Sequence, residues 1–442
     1  MTNMTIRLRS TGKVTTVALS LAVLVGCDVT NPGPVLDEFL AVDASQQGLI
    51  NGSIRSLAEL VTYGAYTNAL LAREVFPGGQ TGAWGHNVTT QGGHILPGSY
   101  GNYWTDAVQA RFIAETAIAR FTDAGAPANK LYQAHLWAGY AYRVLGEWWC
   151  DAVIVSTDPS NTEPGVFESG TTTYFNRAVT NFSAALGLAA NADEKSAALA
   201  GRAAAYAQLG DWTNAAGDAS QVPDGFVFQI KTGGEASFGG YMNHIYEAVE
   251  GALRSHTQDF TWFKDYYTTT GDPRVPWRDH PLYTLATASL SGFPGGSVPF
   301  HPQAKYMART SPMNLASGWE MRLIEAEAAL EAGNWTAAMV IINAVHTRNI
   351  SDNDGNPLPQ WVAADATEAW TFLKRERYIE LWLEGRRASD ERRWAANGTP
   401  GSLDTPDFES QSVLFSANPR SYCFDIPDAE RDSNPNLSPA GG

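Results

Sequence analysis

The sequence predicts a mostly α-helical protein in which helical hairpins are interrupted by long, loop-rich insertions. Two observations carry that prediction. Small and apolar residues recur at steps of three and four in several separate segments, each reaching a glycine followed closely by a tryptophan. Between those segments lie Gly-, Pro- and aromatic-rich stretches with neither a helical nor a strand period. A chain of 442 residues, 44% hydrophobic and 17% charged, has material for a large core and is no disordered polyelectrolyte. Its 46 acidic residues outnumber 30 basic ones, and no basic tract relieves the net charge of -16, so no nucleic-acid partner is expected.

The first element is a targeting signal. Arg7, Arg9 and Lys13 precede a largely apolar run over residues 14–25, and the first acid is Asp28. A basic head before about a dozen apolar residues reads as a secretory signal, too short to span a membrane comfortably. The run closes on Leu24-Val25-Gly26-Cys27, which resembles a bacterial lipobox. That resemblance implies a lipoprotein signal peptide over residues 1–26 and a Cys27 carrying diacylglycerol and palmitate-like acyl chains. Each methylene buried in the bilayer contributes about 0.8 kcal/mol to such an anchor. Residues 27–37, with Pro32, Gly33 and Pro34, then form an extended tether, and the folded body occupies 38–442.

The helical hairpins follow. Leu131, Ala134, Ala138, Ala141 and Leu145 share one helix face, and a turn is expected at Gly146-Glu147-Trp148. Ala197, Ala200, Ala204 and Ala207 do the same before Gly210-Asp211-Trp212. Ile324 and Ala328 lead to Gly333-Asn334-Trp335, after which Ala338, Ile342 and Val345 resume the helical step. Small residues let paired helices approach closely, and Trp212 and Trp335 are expected to be buried beside their turns. The pattern resembles the tetratricopeptide hairpin, but the three glycines are far apart and unequally spaced, against a tandem period of about 34 residues.

Two insertions change character. Residues 77–102 are Gly-rich and hold Trp84, Asn87, Gln91 and Tyr100, while residues 223–312 hold Trp262, Tyr266, Trp277 and Tyr283. Long loops in a compact body are commonly functional. Sugar rings offer C–H faces to flat indole and phenol rings, and their hydroxyls need polar groups at the rim. Trp84, Asn87, Tyr100, Trp262, Tyr266, Trp277 and Tyr283 are therefore the candidate ligand-binding residues. Trp104, before a helix-like run, is read as packing.

The carboxyl end carries the most specific pattern. Lys374-Arg375-Glu376-Arg377-Tyr378-Ile379-Glu380-Leu381 leads to Glu384-Gly385-Arg386-Arg387 and Asp390-Glu391-Arg392-Arg393, and the chain closes on Ile426-Pro427, Glu430 and Asn434-Pro435-Asn436-Leu437. With the lipobox, the split hairpins and Asp272-Pro273-Arg274, this order resembles the SusD/RagB family of nutrient-uptake lipoproteins. The resemblance implies a SusD-like helical fold on the outer face of an outer membrane. It further implies capture of an oligosaccharide or other nutrient, and a TonB-dependent β-barrel transporter as partner.

Other motifs are structural in this reading. Glu376, Glu380 and Glu384 have Arg377 and Arg387 three residues from an acid, beside a buried Leu373, Leu381 and Ala388 stripe, which favours ion pairs over an acid/base site. Residues 352–356 resemble part of a calcium loop, but Ile350 and Trp361 fall where its end ligands belong, leaving a polar turn. His86 and His94 lack a third ligand for zinc. No metal or cofactor is expected. Export permits a Cys150–Cys423 disulfide, yet Cys150 follows Trp148-Trp149 on an apolar helical pattern, which favours an isolated buried cysteine. No G-x-S-x-G, H-E-x-x-H, P-loop or C-x-x-C occurs, so no catalytic residue is assigned. A lipid-anchored adaptor for a protein or peptide, and a glycoside hydrolase with two carboxylates brought together by folding, are the alternatives.

Overall fold

In the computed structural model, residues 43–77, 95, 100–156, 163–233, 241–249, 254–286, 298–404 and 422–437 are described. Cys27, the signal, the tether, Trp84, Asn87, Gln91, His86 and His94 lie outside the described residues.

Helices dominate. Three N-terminal ones, α1 (Asp43–Leu71), α2 (Gly101–Asp123) and α3 (Ala128–Trp148), pack pairwise, and α4 (Thr172–Leu188) and α5 (Ala192–Leu209) continue the series with short α6 (Trp212–Ala219). The later scaffold is α9 (Gly318–Glu331), α10 (Trp335–Thr347), α11 (Ala366–Glu380) and α12 (Arg387–Ala396), with α9 against α6 and α11 against α9 and α10. Between these halves, the described residues of the 223–312 insertion form only α7 (His244–Glu247), α8 (Trp262–Thr270) and short strands. Among the described residues, the named strands pair in two-stranded antiparallel sheets: β1 (Phe76–Pro77) with β5 (His256–Thr257), β2 (Ala152–Ile154) with β3 (Val166–Glu168), and β4 (Val227–Ile230) with β6 (Met313–Ser317). The C-terminal α13 spans Asp428–Ser433. This is the expected mostly α architecture.

Small residues set the helix spacing. A Cβ on Gly64 of α1 would lie 2.0 Å from the Trp148 ring, and one on Gly139 or Gly201 would strike the Phe182 ring wedged between α3 and α5. The alanines at 197, 200, 204 and 207 are all buried. Two hairpin turns form as the sequence requires. Gly210 and Gly333 take left-handed φ of 73° and 76°, and the Asp211 and Asn334 side chains then cap the next helix. Tryptophan is thus the first residue of each new helix, and there the expectation fails: Trp212 and Trp335 are only half-buried. The third turn fails altogether. Gly146 is inside α3, which runs on to Trp148, and its missing Cβ makes room for the Phe175 ring at 2.7 Å. Helical period alone does not separate a turn glycine from one that admits a neighbour's ring.

The cysteines pair. Cys150 and Cys423 form a disulfide with Cα atoms 5.2 Å apart, contrary to the isolated cysteine expected. The reason is tertiary: Phe424 N donates to Trp148 O (2.6 Å) and Cys150 N to Phe424 O (3.0 Å), bringing the chain's end against the end of α3. Closing so long a loop contributes about 2–4 kcal/mol.

The charged C-terminal pattern is an ion-pair network, but not with the partners expected from helical spacing. The helix stops at Glu380, and Leu383 and Gly385 turn the chain through φ of 61° and 69°. Glu384 consequently meets Lys305 (2.9 Å) rather than Arg387, and Arg377 meets Asp390 (2.7 Å) rather than Glu380. Arg386 joins Glu147 of α3 (3.0 Å) to Glu320 of α9 (2.8 Å), and Arg393 forks onto Glu327 (2.8 and 3.0 Å). Leu373, Leu381 and Ala388 are buried as expected. Buried pairs of this kind add little net stability but cost several kcal/mol when one partner is lost, so they specify which helices meet. The terminal motif works similarly: Asn434 and Asn436 donate to Gly165 O (2.9 and 3.0 Å), and Glu430 accepts from Trp104 Nε1 (3.3 Å).

Candidate functional site

Helix α8 organises the aromatic surface. Thr261 caps its start, and Phe263, wholly buried, packs its ring 5.6 Å from that of Trp382 and beneath the Arg387 guanidinium. With Phe263 facing inward, Trp262, Tyr266 and Tyr267 are left half-buried. Trp262 and Tyr266, one turn apart, stack with ring centres 4.5 Å apart and planes within 16°.

Asp272-Pro273-Arg274 bolts this helix to α11. Gly271, at φ 64°, ends α8, and the buried Asp272 carboxylate accepts from the Tyr266 hydroxyl (3.0 Å) and from Arg274 (2.8 and 3.0 Å). Arg274 also pairs with Glu376 and, at 2.9 Å, with Glu380. The polar turn at 352–356 supports the same helix: Tyr267 donates to Asp352 (3.1 Å), Asn353 to Thr268 O (3.1 Å), and Ser351 to Thr270 O (2.7 Å).

Beside Glu376 on α11, Arg375 faces the stacked rings. Its guanidinium carbon lies 5.8 Å from the Trp262 ring centre, 5.6 Å from that of Trp361 and 5.4 Å from that of Phe372. Two bonds to Asp404 (2.8 and 2.9 Å) hold it there. Trp361 and Phe372 form a second stack, 5.1 Å apart and within 17° of parallel. Two stacked ring pairs therefore flank one guanidinium, all half-buried. Such a surface offers flat apolar faces and the Nη1 donors that Asp404 does not take, and each cation–ring contact contributes about 0.5–1 kcal/mol.

The other candidates sit elsewhere. Trp277 donates to Lys264 O on α8 (3.3 Å) and meets Tyr267 (6.2 Å) and His301 (4.9 Å) edge to face. Beneath it Asp259 binds His301 Nδ1 (2.6 Å) and Lys264. Burial pushes the Asp259 carboxyl up, but hydrogen bonds from Lys264, His301 and Thr257 outweigh burial and hold it below the ordinary carboxylate range. Tyr283 stacks on His280 (5.0 Å) under the Arg254 guanidinium (4.1 Å). Tyr100 stacks on Tyr103 (5.1 Å, 11°) near Phe424, at the start of α2. Of the seven candidates, the structure thus stacks Trp262 on Tyr266 and ties Trp277 to the same helix. Trp104 is buried against Trp149, as read from the sequence.

Sequence reasoning missed Arg375, Trp361 and Phe372. The only available signal was an aromatic three residues before an arginine on a predicted helix, and that arginine had been absorbed into the ion-pair reading. Among the described residues, no three His, Cys, Asp or Glu side chains converge as a metal site.

The fold and surface define a class: a helical protein with tetratricopeptide-like hairpins and a loop-rich half presenting half-exposed aromatic rings. A family model described as SusD family matches residues 304–440. Solved structures with the same fold include a SusD superfamily protein from Bacteroides thetaiotaomicron VPI-5482 (14% identity, TM-score 0.64, 89% of this chain and 98% of that one). A laminarin-binding SusD-like protein (15%, 0.63, 90% and 99%) and a SusD-like carbohydrate-binding protein from Bacteroides vulgatus ATCC 8482 (16%, 0.59, 79% and 83%) share it as well. No curated protein matches the sequence. The chain thus has the SusD-like fold, and its C-terminal part, residues 304–440, matches the SusD family model.

Proposed function

We propose that this protein captures an oligosaccharide at the cell surface and delivers it to a TonB-dependent β-barrel transporter, without chemistry of its own. The observation that carries the reading is the pair of ring stacks flanking Arg375, on a fold shared with proteins described as binding laminarin and carbohydrate. Trp262 supplies the first platform, Arg375 the donors to ring hydroxyls, and Trp277 extends the surface along α8, with Tyr283 a further candidate contact. Trp84, Asn87 and Tyr100, from the Gly-rich insertion, are further candidate contacts. Cys27 carries the lipid that keeps the body at the outer membrane. This suits a chain in which no described helix is long and apolar enough to cross a membrane.

Calorimetry of the mature protein against laminarihexaose, maltohexaose, xylohexaose and mannohexaose tests it. Trp262→Ala weakens binding of the cognate hexasaccharide by about 1–3 kcal/mol, by analogy with the loss of a base-stacking ring. Equal affinity of wild type and variant, or no binding by any of the four, overturns the reading.

A further inference from the structure

We propose that a hollow beside Trp212 and Trp370, on the hairpin scaffold, is a second saccharide-binding site and takes neutral glycans. This rests on the carbohydrate reading above but concerns residues apart from the α8 surface. The hollow has a volume of about 430 Å³, within the range of about 300–1,000 Å³ typical of ligand pockets. It lies where the α5–α6 turn, the end of α9, the start of α11 and the turn after α12 meet.

Two indoles from different helices border it. Trp370 is 6% exposed and forms the deeper wall; Trp212 is half-buried at the mouth. Arg393 lies with its guanidinium carbon 5.2 Å from the Trp212 ring centre and is itself fixed by Glu327 and by Asp390 (3.1 Å). The opposite wall is equally fixed. Thr399 N donates to Trp394 O (2.9 Å), and Lys374 Nζ donates to the carbonyls of Thr399 (3.1 Å) and Gly401 (3.3 Å). The walls are preorganised, so a ligand does not have to order them.

The rim has the chemistry a polyol needs. Glu331, Asn397 and the Thr399 hydroxyl line the hollow, and among the described residues none of these side chains is hydrogen-bonded to the protein. They offer a carboxylate, an amide and a hydroxyl to sugar hydroxyls while an indole takes a C–H face. Glu331 is the one acidic side chain among the lining residues, so its carboxylate would repel a uronic acid.

The test is fluorine NMR of the full mature chain labelled with fluorotryptophan, with Trp212 and Trp262 resonances assigned through Trp212→Phe and Trp262→Phe. The four neutral hexasaccharides named above are titrated to about 10 mM, a concentration that detects even millimolar affinity, alongside a galacturonate oligomer. The expected result is a shift of the Trp212 resonance with at least one neutral hexasaccharide, retained in Trp262→Ala. Asn397→Ala, at an exposed position, weakens that response about 2–10-fold, the worth of one hydrogen bond. If Trp262 responds and Trp212 does not, or Trp212 responds only while Trp262 is intact, the second site is overturned and the α8 reading stands. If Trp212 alone responds, the second site stands and the α8 placement falls. Silence at both overturns both, and an equal response to galacturonate overturns the neutral selectivity.

Discussion

Replacing Arg274 by methionine removes the one cation shared by Asp272, Glu376 and Glu380. The Asp272 and Glu376 side chains are 0% exposed and that of Arg274 is 11% exposed, so the charges left behind are shielded from water. Removing one partner of a buried pair costs about 3–5 kcal/mol. Here Glu376 keeps His346 Nδ1 (3.0 Å) and Glu380 keeps Arg348 (2.8 Å), whereas Asp272 keeps only hydrogen bonds. The loss therefore falls mainly on Asp272, and the lower end of the range, about 3 kcal/mol, is expected. Urea unfolding followed by circular dichroism measures it, and pH supplies a second check. Burial pushes the Asp272 carboxyl up, but the charge and hydrogen bonds of Arg274 outweigh burial and hold it below the ordinary value. A depressed folded pKa gives stability that is present above the unfolded value of about 3.9 and is lost as pH falls through the folded one. In the variant, burial is opposed only by the hydrogen bonds from Tyr266 and the residue-274 backbone N–H, so the folded pKa rises and protonation relieves part of the penalty. The gap between wild type and variant is thus widest near neutrality and narrows toward about pH 4. The variant also binds saccharide more weakly, because Arg274 joins the helix of Trp262 to the helix of Arg375. A loss below about 1 kcal/mol, or a gap that widens in acid, refutes the reasoning.

Gly64→Ala forces a methyl to 2.0 Å from the Trp148 ring, which is buried and held by its Nε1 bond to Gly385 O (2.8 Å). With so little room to yield, a cost of about 3 kcal/mol in urea melts is expected, the upper end for overpacking. Burial pushes the Glu74 carboxyl up to about 8 against the opposing charge of Arg387, so wild-type stability declines as pH rises from the unfolded value toward about 8. Glu74→Gln keeps an acceptor for Leu383 N (3.3 Å in the wild type) and removes that decline. Its stability should match wild type near pH 4 and exceed it near pH 8, and parallel pH profiles for the two proteins count against it. Cys27→Ser leaves the protein without acyl chains and in the soluble fraction, read by mass spectrometry and membrane fractionation. Retention of the mutant in membranes removes the anchor assignment.

The fold was legible where local chemistry decides it. The alanine faces of α5 and the Gly-Asp-Trp and Gly-Asn-Trp turns read correctly, because left-handed glycine and an N-capping side chain act within a few residues. Gly146 misled because the Phe175 ring that fills its place comes from another helix. The site was half legible. Trp262 and Tyr266 were visible as aromatics of the loop-rich insertion, though not as neighbours on a helix, whereas Arg375, Trp361 and Phe372 were not, since nothing local brings residue 375 to residue 262.

By itself, the sequence determined the helical class, the family pattern of its C-terminal third and the residue types able to grip a flat ligand. Those depend on composition, period and order along the chain. Only the tertiary structure decided which acid meets which base, that Cys150 joins Cys423, and that the Asp272-Pro273-Arg274 segment fastens α8 to α11. The physical reason is distance along the chain: a hydrogen bond or ion pair needs approach to about 3 Å, and groups far apart in sequence reach it only once the core has set every helix in place.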